Sequence, residues 1–157
     1  MSSPAERHRA LIERLYAAFD ARDGAAMAAC YHPEARFSDP VFPDLRGPDV
    51  GRMWLMLCRR GKDLRVTLVR AEADAERGRA RWEARYSFSG SGRPVHNVVD
   101  AELEFRDGLV WRHVDRFDFH RWAGQALGLP GRLLGWTGIL REKVRRTAAD
   151  GLARFER

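Results

Sequence analysis

The sequence lacks several features that would point directly to a chemistry. It contains only two cysteines, Cys30 and Cys58, and neither has the Cys/His spacing of a zinc site. Two cysteines cannot build a disulfide framework, so we expect reduced thiols. The sequence also has no Gly-rich phosphate loop, no metal-binding motif and no G-x-S-x-G elbow. We therefore expect a protein that uses neither a metal nor another cofactor.

Long hydrophobic runs are also missing. No apolar stretch approaches the roughly 20 residues that are needed to span a bilayer. The opening stretch, MSSPAERHRALIERL, is charged and periodic and lacks the apolar core of a signal peptide. These two observations predict a cytoplasmic protein.

The chain is basic overall, with its charges spread along the sequence. The 28 Lys and Arg residues, almost all of them Arg, are spread along the chain and offset by 22 acidic residues, which leaves a net charge of +6. Nucleic-acid binding proteins collect their basic residues on one face, so we expect no nucleic-acid partner. The 157 residues suit one domain with a real core.

The spacing of apolar residues predicts helices in the first third of the chain. One helix is expected from about residue 4 to residue 22, and a short Ala-rich helix is expected to stop at Pro33. A third helix, in GPDVGRMWLMLCRRG, is expected to end at Gly61. Between the second and third helices, ARFSDPVF has the pattern of a short strand.

The hydrophobic period then changes to two, which predicts four strands in an antiparallel meander. The strands are DLRVTLVRAEAD, GRARWEARYSFSG, RPVHNVVDAELEF and GLVWRHVDRFDF, joined by hairpin-like turns. Alternation places one set of residues on the apolar face of the last two strands: Val95, Asn97, Val99, Ala101, Leu103, Phe105, Leu109, Trp111, His113, Asp115, Phe117 and Phe119. Helices followed by a meander indicate the α+β class.

The chain ends in a helical segment of mixed character. We expect one domain over residues 1–122 and a C-terminal helical extension over residues 123–157. The extension carries apolar residues from Leu133 to Val144 and a basic group formed by Arg141, Lys143, Arg145 and Arg146. Such a helix can lie on a membrane or bind a partner. We favour packing on the protein's own domain or across a dimer over contact with a membrane.

The order of these elements resembles the NTF2-like superfamily, particularly its SnoaL-like (polyketide cyclase) and ketosteroid isomerase branch. Two stretches carry the resemblance, YAAFDARDGAAMAACYHPEARFSDPVFPDLRGP and DGLVWRHVDRFDF, and it covers about residues 5 to 120. It implies a cystatin-like cone in which a curved antiparallel sheet wraps around the N-terminal helices and encloses a mostly apolar pocket. It also implies a homodimer formed through the outer face of the sheet. The fold hosts isomerases, cyclases, hydrolases, dehydratases and binding modules.

Three acid–base residues are the candidate catalytic groups. Asp39, in FSDPV, falls on the position of the catalytic base in ketosteroid isomerases, and apolar neighbours would raise the pKa of its carboxyl. The alternative for Asp39 is a turn residue whose carboxylate caps backbone N–H groups. His113 and Asp115 match, in type and strand, the inward His and Asp of SnoaL-like cyclases. The alternative for these two is a buried structural pair.

Seven further residues are candidate ligand contacts, with core packing as the alternative for the aromatic ones: Tyr16, Trp54, Trp82, Tyr86, Asn97, Trp111 and Phe117. The resemblance does not extend to steroid isomerase activity itself. Leu15 holds the place of the isomerase tyrosine, and alternation places Asp100, which falls near the position of the protonated acid, on the outer face. An epoxide hydrolase would need an inward Asp–Arg–Asp cluster. Alternation places Arg81 on the outer face, which argues against such a cluster. Arg112 or Arg116 would then have to supply the arginine.

Three functions remain open on this basis. The first is a cofactor-free isomerase, cyclase or dehydratase that moves a proton next to the carbonyl of a small apolar ligand. The second is a non-catalytic module that binds such a ligand. The third is an interaction scaffold whose pocket is filled by Trp82 and Trp111.

Overall fold

A computed structural model describes residues 1–155 of the chain. In chain order, the helices and strands are α1 (Pro4–Asp20), α2 (Gly24–Ala28), β1 (Tyr31–Ser38), β2 (Leu45–Arg46), α3 (Pro48–Arg60), β3 (Arg65–Ala73), β4 (Arg77–Ser87), β5 (Pro94–Arg106), β6 (Leu109–Arg116), α4 (Phe119–Leu127), α5 (Leu129–Leu134) and α6 (Gly138–Ala153). This is the α+β order that the sequence predicts. Within the part of the chain that the structure describes, no helix is both long enough and apolar enough to cross a membrane.

The strands form one curved, open sheet in the order β2-β1-β6-β5-β4-β3. Strands β3 to β6 are the predicted antiparallel meander. Strand β1 comes from the helical first third of the chain and runs parallel to β6. Helix α1 packs on β3 and helix α3 packs on β1, so the inner face of the sheet covers the N-terminal helices. The cone-like α+β architecture is therefore confirmed.

Local sequence explains why the two long N-terminal helices form and which face they bury. The Ser3 side chain caps α1 by accepting a hydrogen bond from the Glu6 N–H, and a proline follows it at the first helical position. Helix α3 also begins with a proline and has Asp49 in its first turn, where a negative charge is favourable. The apolar faces of the two helices meet the sheet in one core that includes Leu11, Ile12, Leu15, Phe19, Val50, Met53 and Trp54.

Strand β1 begins earlier than the sequence predicts. The preceding helix ends at Ala28 and the strand starts at Tyr31, so Pro33 lies inside a strand and does not terminate a helix. The pairing of β1 with β6 is irregular between Tyr31 and Arg36, and Pro33 falls in this gap. Because proline has no N–H to donate, a gap in the ladder is where a strand can accommodate it.

The last strand departs from strict alternation at Trp111. The register of β6 against β5 shifts at this point, so Trp111 is the extra residue of a β-bulge. The preceding Val110 is fully buried, whereas the Trp111 ring lies on the outer surface, 4.0 Å from the guanidinium carbon of Arg106. The predicted inward placement of Trp111 is therefore wrong. His113, which follows the bulge, has the predicted inward direction.

The C-terminal helices cover one end of the cone. Helix α4 packs on β5, and the Trp122 indole N–H donates to the Tyr86 hydroxyl oxygen over 2.8 Å. The residues buried between them form a second cluster: Val95, Phe119, Trp122, Ala123 and Ala126. Residue 122, the expected end of the first domain, lies within α4. Helix α6 returns to the body, where Arg145 Nε donates to the Pro40 carbonyl over 2.9 Å.

Candidate functional site

His113 and Asp115 meet inside the cone. They lie two residues apart on β6, so their side chains leave the strand on the same face. His113 Nε2 is 2.7 Å from Asp115 Oδ1, which is a hydrogen-bond distance. The two residues are only 0% and 3% exposed. The structure thus places both predicted residues in one buried pair that is withdrawn from bulk water.

Two further side chains extend this pair into a chain of polar groups. The Tyr31 hydroxyl oxygen lies 2.8 Å from His113 Nδ1, and the Trp82 indole N–H reaches Asp115 Oδ1 over 3.4 Å. A neutral imidazole that donates from Nε2 to a carboxylate accepts at Nδ1, which suits a donating tyrosine. Sequence reasoning missed Tyr31, because only the parallel pairing of β1 with β6 brings it next to His113.

Two buried donors beside this chain have no hydrogen-bond partner in the described part of the structure, the Tyr16 hydroxyl and the Trp54 indole N–H. The Trp54 N–H lies near the Tyr31 hydroxyl and opposes the rise in the pKa of Tyr31 that burial and Asp115 cause, but its geometry falls short of a hydrogen bond. An unpaired buried donor costs about 1–3 kcal/mol. Both of them lie at the same buried polar cluster.

Tyr16 also lies close to the His–Asp pair. Its ring centroid is 5.6 Å from that of Trp82, and burial, followed by the nearby charge of Asp115, raises the pKa of the Tyr16 hydroxyl well above its usual value. The tyrosine therefore stays protonated and remains a donor at neutral pH. Leu15 holds the place of the isomerase tyrosine, and Tyr16 is the next residue along α1. Both residues are buried, so α1 still places a tyrosine hydroxyl inside the cone.

Asp39 lies just beyond the end of β1. Its Oδ1 accepts hydrogen bonds from the Val41 N–H over 2.7 Å and the Phe42 N–H over 2.6 Å, so the carboxylate caps a turn as one of the two alternatives predicts. The residue as a whole is partly exposed, but its carboxyl group is enclosed. Burial raises the pKa of Asp39 to about 7.

The charges of Asp115 and His113 also act on the Asp39 carboxyl: Asp115 raises its pKa and His113 lowers it. The three predicted catalytic residues therefore lie within electrostatic reach of one another.

The remaining candidate contacts divide into three groups. Tyr16, Trp54 and Trp82 surround the His–Asp pair. Tyr86 and Phe117 lie where the main core meets the cluster under α4. Asn97 is partly buried and lies opposite Ala84 in the sheet. It alternates with the buried Val95 and Val99, so it is on the inner face. Trp111 is the exception, because the bulge turns it to the outer surface.

Aromatic rings pack closely around the buried pair. The Trp54 ring centroid lies 5.0 Å from that of Phe19, 5.3 Å from that of Phe37 and 6.1 Å from that of His113. Two surface clefts, of about 520 and 440 Å³, lie on the sheet, the first along β3 to β6 and the second along β1 and β6. The second is lined in part by Phe37 and His113, and neither is lined by Asp39 or Asp115. The interior around the His–Asp pair is thus enclosed by packed side chains.

The outer face of the sheet carries the arginines that an epoxide hydrolase site would need inside. Three ion pairs join it to acidic partners over 2.8–3.1 Å: Arg81–Asp100, Arg112–Glu104 and Arg116–Glu102. Arg81 is directly opposite Asp100 in the ladder, which fixes the outward direction that alternation predicts for Asp100. None of these three arginines joins the buried cluster. Among residues 1–155, no three His, Cys, Asp or Glu side chains are grouped so that they could hold a metal ion.

Comparisons with solved structures find the same fold. A proposed SnoaL-like polyketide cyclase from Jannaschia sp. CCS1 is 13% identical, with 83% of this chain and 97% of that chain covered and a TM-score of 0.71. A protein of ketosteroid isomerase-like fold from Catenulispora acidiphila DSM 44928, in complex with trimethylamine, is 15% identical over 81% and 96%, with a TM-score of 0.67. An LEH-like epoxide hydrolase of M. tuberculosis is 17% identical over 83% and 97%, with a TM-score of 0.66.

These identities are low, so the likeness to the solved structures shows the fold and not the activity. No curated protein matches the sequence. The sequence model of the SnoaL-like domain, however, matches residues 12–113, which is more than half of the chain and includes Asp39 and His113. The chain therefore belongs to the SnoaL-like domain family of the NTF2-like superfamily.

Proposed function

We propose that the protein binds a small, largely apolar carbonyl compound inside the cone and moves a proton on the carbon next to the carbonyl. The observation that carries the proposal is the pair of unpaired buried donors, Tyr16 and Trp54, beside the His113–Asp115 pair. A carbonyl oxygen that reaches either group gives it the acceptor that it lacks. As the carbon loses its proton, negative charge develops on that oxygen, and donors held in a dry site stabilise it.

Asp39 is the proposed base. Since its pKa is about 7, a substantial fraction of its carboxyl is ionised at neutral pH and can take a proton from carbon. The C–H bond breaks, its proton goes to the Asp39 carboxylate, and its electron pair moves onto the carbonyl oxygen to form an enolate. Return of the proton from Asp39 to another carbon gives an isomer. Attack of the enolate on a second carbonyl carbon closes a ring, and the alkoxide that forms takes the proton from Asp39. Expulsion of a neighbouring hydroxyl, which Asp39 protonates so that it leaves as water, gives a dehydration.

The His113–Asp115 pair is the second candidate for the acid–base group. Its side chains are hydrogen-bonded on both sides, which fixes their orientation toward the same interior space. Asp115 raises the pKa of the Asp39 carboxyl, so the two candidate groups interact electrostatically. Variants at the two positions separate these assignments.

Access to the enclosed site is proposed to involve α4. The Trp122–Tyr86 hydrogen bond holds this helix over the end of the sheet nearest Asp39, and burial and Asp39 both act to raise the pKa of Tyr86. Movement of α4 would expose Val41 and Phe117, which pack on both core clusters. The trimethylamine complex of the Catenulispora neighbour supports a small-molecule site in this fold.

The second candidate function is a non-catalytic binding module. It is favoured by the two backbone N–H groups that cap the Asp39 carboxylate and by the complete burial of His113. In either case the proposed assembly is a homodimer through the outer face of the sheet. That face carries alternating basic and acidic side chains, which can form ion pairs with a second copy.

The test is deuterium exchange into a panel of small enolisable ketones, followed by NMR in D₂O. We expect Asp39→Asn to slow exchange by about 100-fold or more, which is the usual loss on removing a general base. Tyr16→Phe should slow it by about 10-fold or more, because a donor to the enolate is lost. Asp100→Asn, on the outer face, is the matched control and should leave exchange unchanged.

The outcomes discriminate between the candidates. Unchanged exchange in both Asp39→Asn and Asp115→Asn would reject the proton-transfer assignment. A wild-type protein that binds a ketone, as seen by saturation-transfer NMR, but exchanges no deuterium would establish the binding module instead.

A further inference from the structure

The segment from α5 to the start of α6 exposes most of the large apolar side chains found on the surface. Five residues in this segment are more than half exposed, at 64%, 61%, 51%, 72% and 86%: Leu129, Leu133, Leu134, Trp136 and Ile139. Elsewhere in the described chain, the large exposed apolar residues are Met1 and Val69. We call these five residues the apolar patch. Large apolar side chains concentrated on the surface of one short segment mark a candidate interaction site.

The packing of α5 explains why its large residues face outward. Gly131 and Gly135 are buried, and the helix lies with its backbone directly on α4. A Cβ atom at Gly131 would come 1.9 Å from the Ala123 carbonyl oxygen, so only glycine permits this approach. The His120 ring nitrogen Nε2 binds the Arg132 carbonyl over 2.8 Å and holds the contact. A surface helix normally turns its large apolar residues inward, and α5 does the reverse.

Basic residues lie close to the apolar patch in the sequence. The segment from Asp118 to Asp150 contains six Lys or Arg residues and three acids, Asp118, Glu142 and Asp150. Five of the six cationic residues are exposed: Arg121, Arg132, Arg141, Lys143 and Arg146. The sixth, Arg145, pairs with Glu142 and binds a backbone carbonyl. We call these basic residues the rim, and they give the segment that carries the patch a net positive charge.

We propose that the apolar patch and its basic rim dock the protein onto an anionic lipid surface. Leu and Trp side chains would enter the boundary between headgroups and acyl chains, and the arginines would pair with anionic headgroups. The Trp136 indole N–H already donates to the Leu133 carbonyl, so the ring can enter an apolar layer without an unpaired donor. The proposal does not depend on the reaction inside the cone.

The charge of the rim argues for lipid over a second copy of the chain. A symmetric dimer through the patch would bring the same cationic residues of both copies together. Repulsion between the cationic residues of the two copies opposes such a dimer, whereas an anionic surface attracts these residues. Peripheral docking also requires no membrane-spanning helix, in agreement with the lengths and compositions of the described helices.

The test is co-sedimentation of the full chain with vesicles of phosphatidylcholine alone and of phosphatidylcholine mixed with phosphatidylglycerol. We expect binding to the mixed vesicles that weakens as salt is raised, and much weaker binding to phosphatidylcholine alone. The double variant Leu133→Gln with Trp136→Gln should reduce binding to the mixed vesicles by about 10-fold or more. The matched control is Val69→Gln, which removes an exposed apolar side chain from the sheet and should bind as the wild type does.

A second set of variants tests the basic residues of the rim in the same vesicle assay. Arg132→Gln with Lys143→Gln should weaken binding and reduce its dependence on salt, whereas Arg65→Gln with Arg79→Gln, at exposed positions on the sheet, should change it less. Equal binding to both kinds of vesicle would overturn the anionic specificity, and no binding to either would overturn the proposal. It is also overturned if light scattering shows a dimer that the Leu133→Gln/Trp136→Gln variant dissociates.

Discussion

The Tyr31 hydroxyl oxygen and His113 Nδ1 lie 2.8 Å apart, on neighbouring parallel strands that are 82 positions apart in the sequence. This bond joins the first strand of the chain to the last one and leaves His113 with partners on both ring nitrogens. It also couples the buried His–Asp pair to the helical half of the cone, because Tyr31 stacks against Trp54 of α3. The fold and the candidate site are therefore held by the same contact.

The two buried tyrosines should respond in opposite ways to loss of the hydroxyl. Tyr31→Phe removes a buried hydrogen bond, and we expect it to lower the free energy of unfolding by about 1–2 kcal/mol. Tyr16→Phe removes a hydroxyl that has no partner within the described structure, so stability should stay within about 0.5 kcal/mol or rise. Urea unfolding followed by circular dichroism measures both. An equal loss in the two variants would show that Tyr16 is hydrogen-bonded in solution.

Asp39 should make stability fall as pH rises. Burial raises its folded-state pKa from 3.8 to about 7, so the folded protein binds a proton that the unfolded chain has lost between about pH 4 and about pH 7. The slope of unfolding free energy against pH is negative in this window. The total change contributed by Asp39 is at most about 4 kcal/mol, since each pKa unit corresponds to about 1.4 kcal/mol.

Asp39→Asn should remove most of that slope, because the amide oxygen can still accept from Val41 and Phe42 but does not ionise. Urea unfolding at several pH values checks it. Asp63→Asn serves as a control of opposite sign: hydrogen bonds from Ser87 lower the pKa of Asp63, so its contribution is present above the unfolded pKa and is lost as pH falls. A slope that is unchanged in Asp39→Asn would contradict the raised pKa.

Local periodicity was sufficient for the meander and for the direction of its side chains. Alternation along β5 and β6 predicts Asp100 on the outer face and His113 with Asp115 on the inner face, and the ladder has them so. This prediction works because successive side chains point to opposite faces of a strand. Burial of one face therefore requires apolar residues at every second position. Trp111 fails the same rule, because a bulge adds one residue and the sequence carries no local sign of it.

The parts that depend on distant contacts could not be predicted. Parallel pairing of β1 with β6 is set by the whole fold, so neither the start of β1 nor the role of Tyr31 followed from its neighbours in sequence. The reversed face of α5 is of the same kind. Its apolar residues predict burial, and only the close approach of Gly131 to α4 shows that they are exposed.

Carboxylates on the two faces of the sheet should differ in their contribution to stability. Asp115→Ala leaves His113 and Trp82 without their buried acceptor, and we expect a loss of about 3 kcal/mol in the free energy of unfolding. Asp100→Ala breaks an exposed ion pair with Arg81 and should cost at most about 1 kcal/mol, less at high salt. Chemical unfolding at low and high salt compares them. Similar losses in the two variants would mean that the His–Asp pair is accessible to water.

The contact between α5 and α4 should require glycine at position 131. In Gly131→Ala the new Cβ would lie 1.9 Å from the Ala123 carbonyl oxygen and 2.4 Å from its carbon, and backbone atoms cannot move aside as a flexible side chain can. We expect α5 to separate from α4, with a loss of about 1–3 kcal/mol and faster hydrogen exchange at the Arg132 and Gly135 amides. Gly138→Ala is the matched control: no atom lies within 4 Å of its added Cβ, and alanine favours the first turn of α6 by about 0.5 kcal/mol. If exchange at those amides is equally slow in both variants, α5 does not lie against α4 through its glycine face, and the outward direction of Leu133 and Trp136 loses its structural cause.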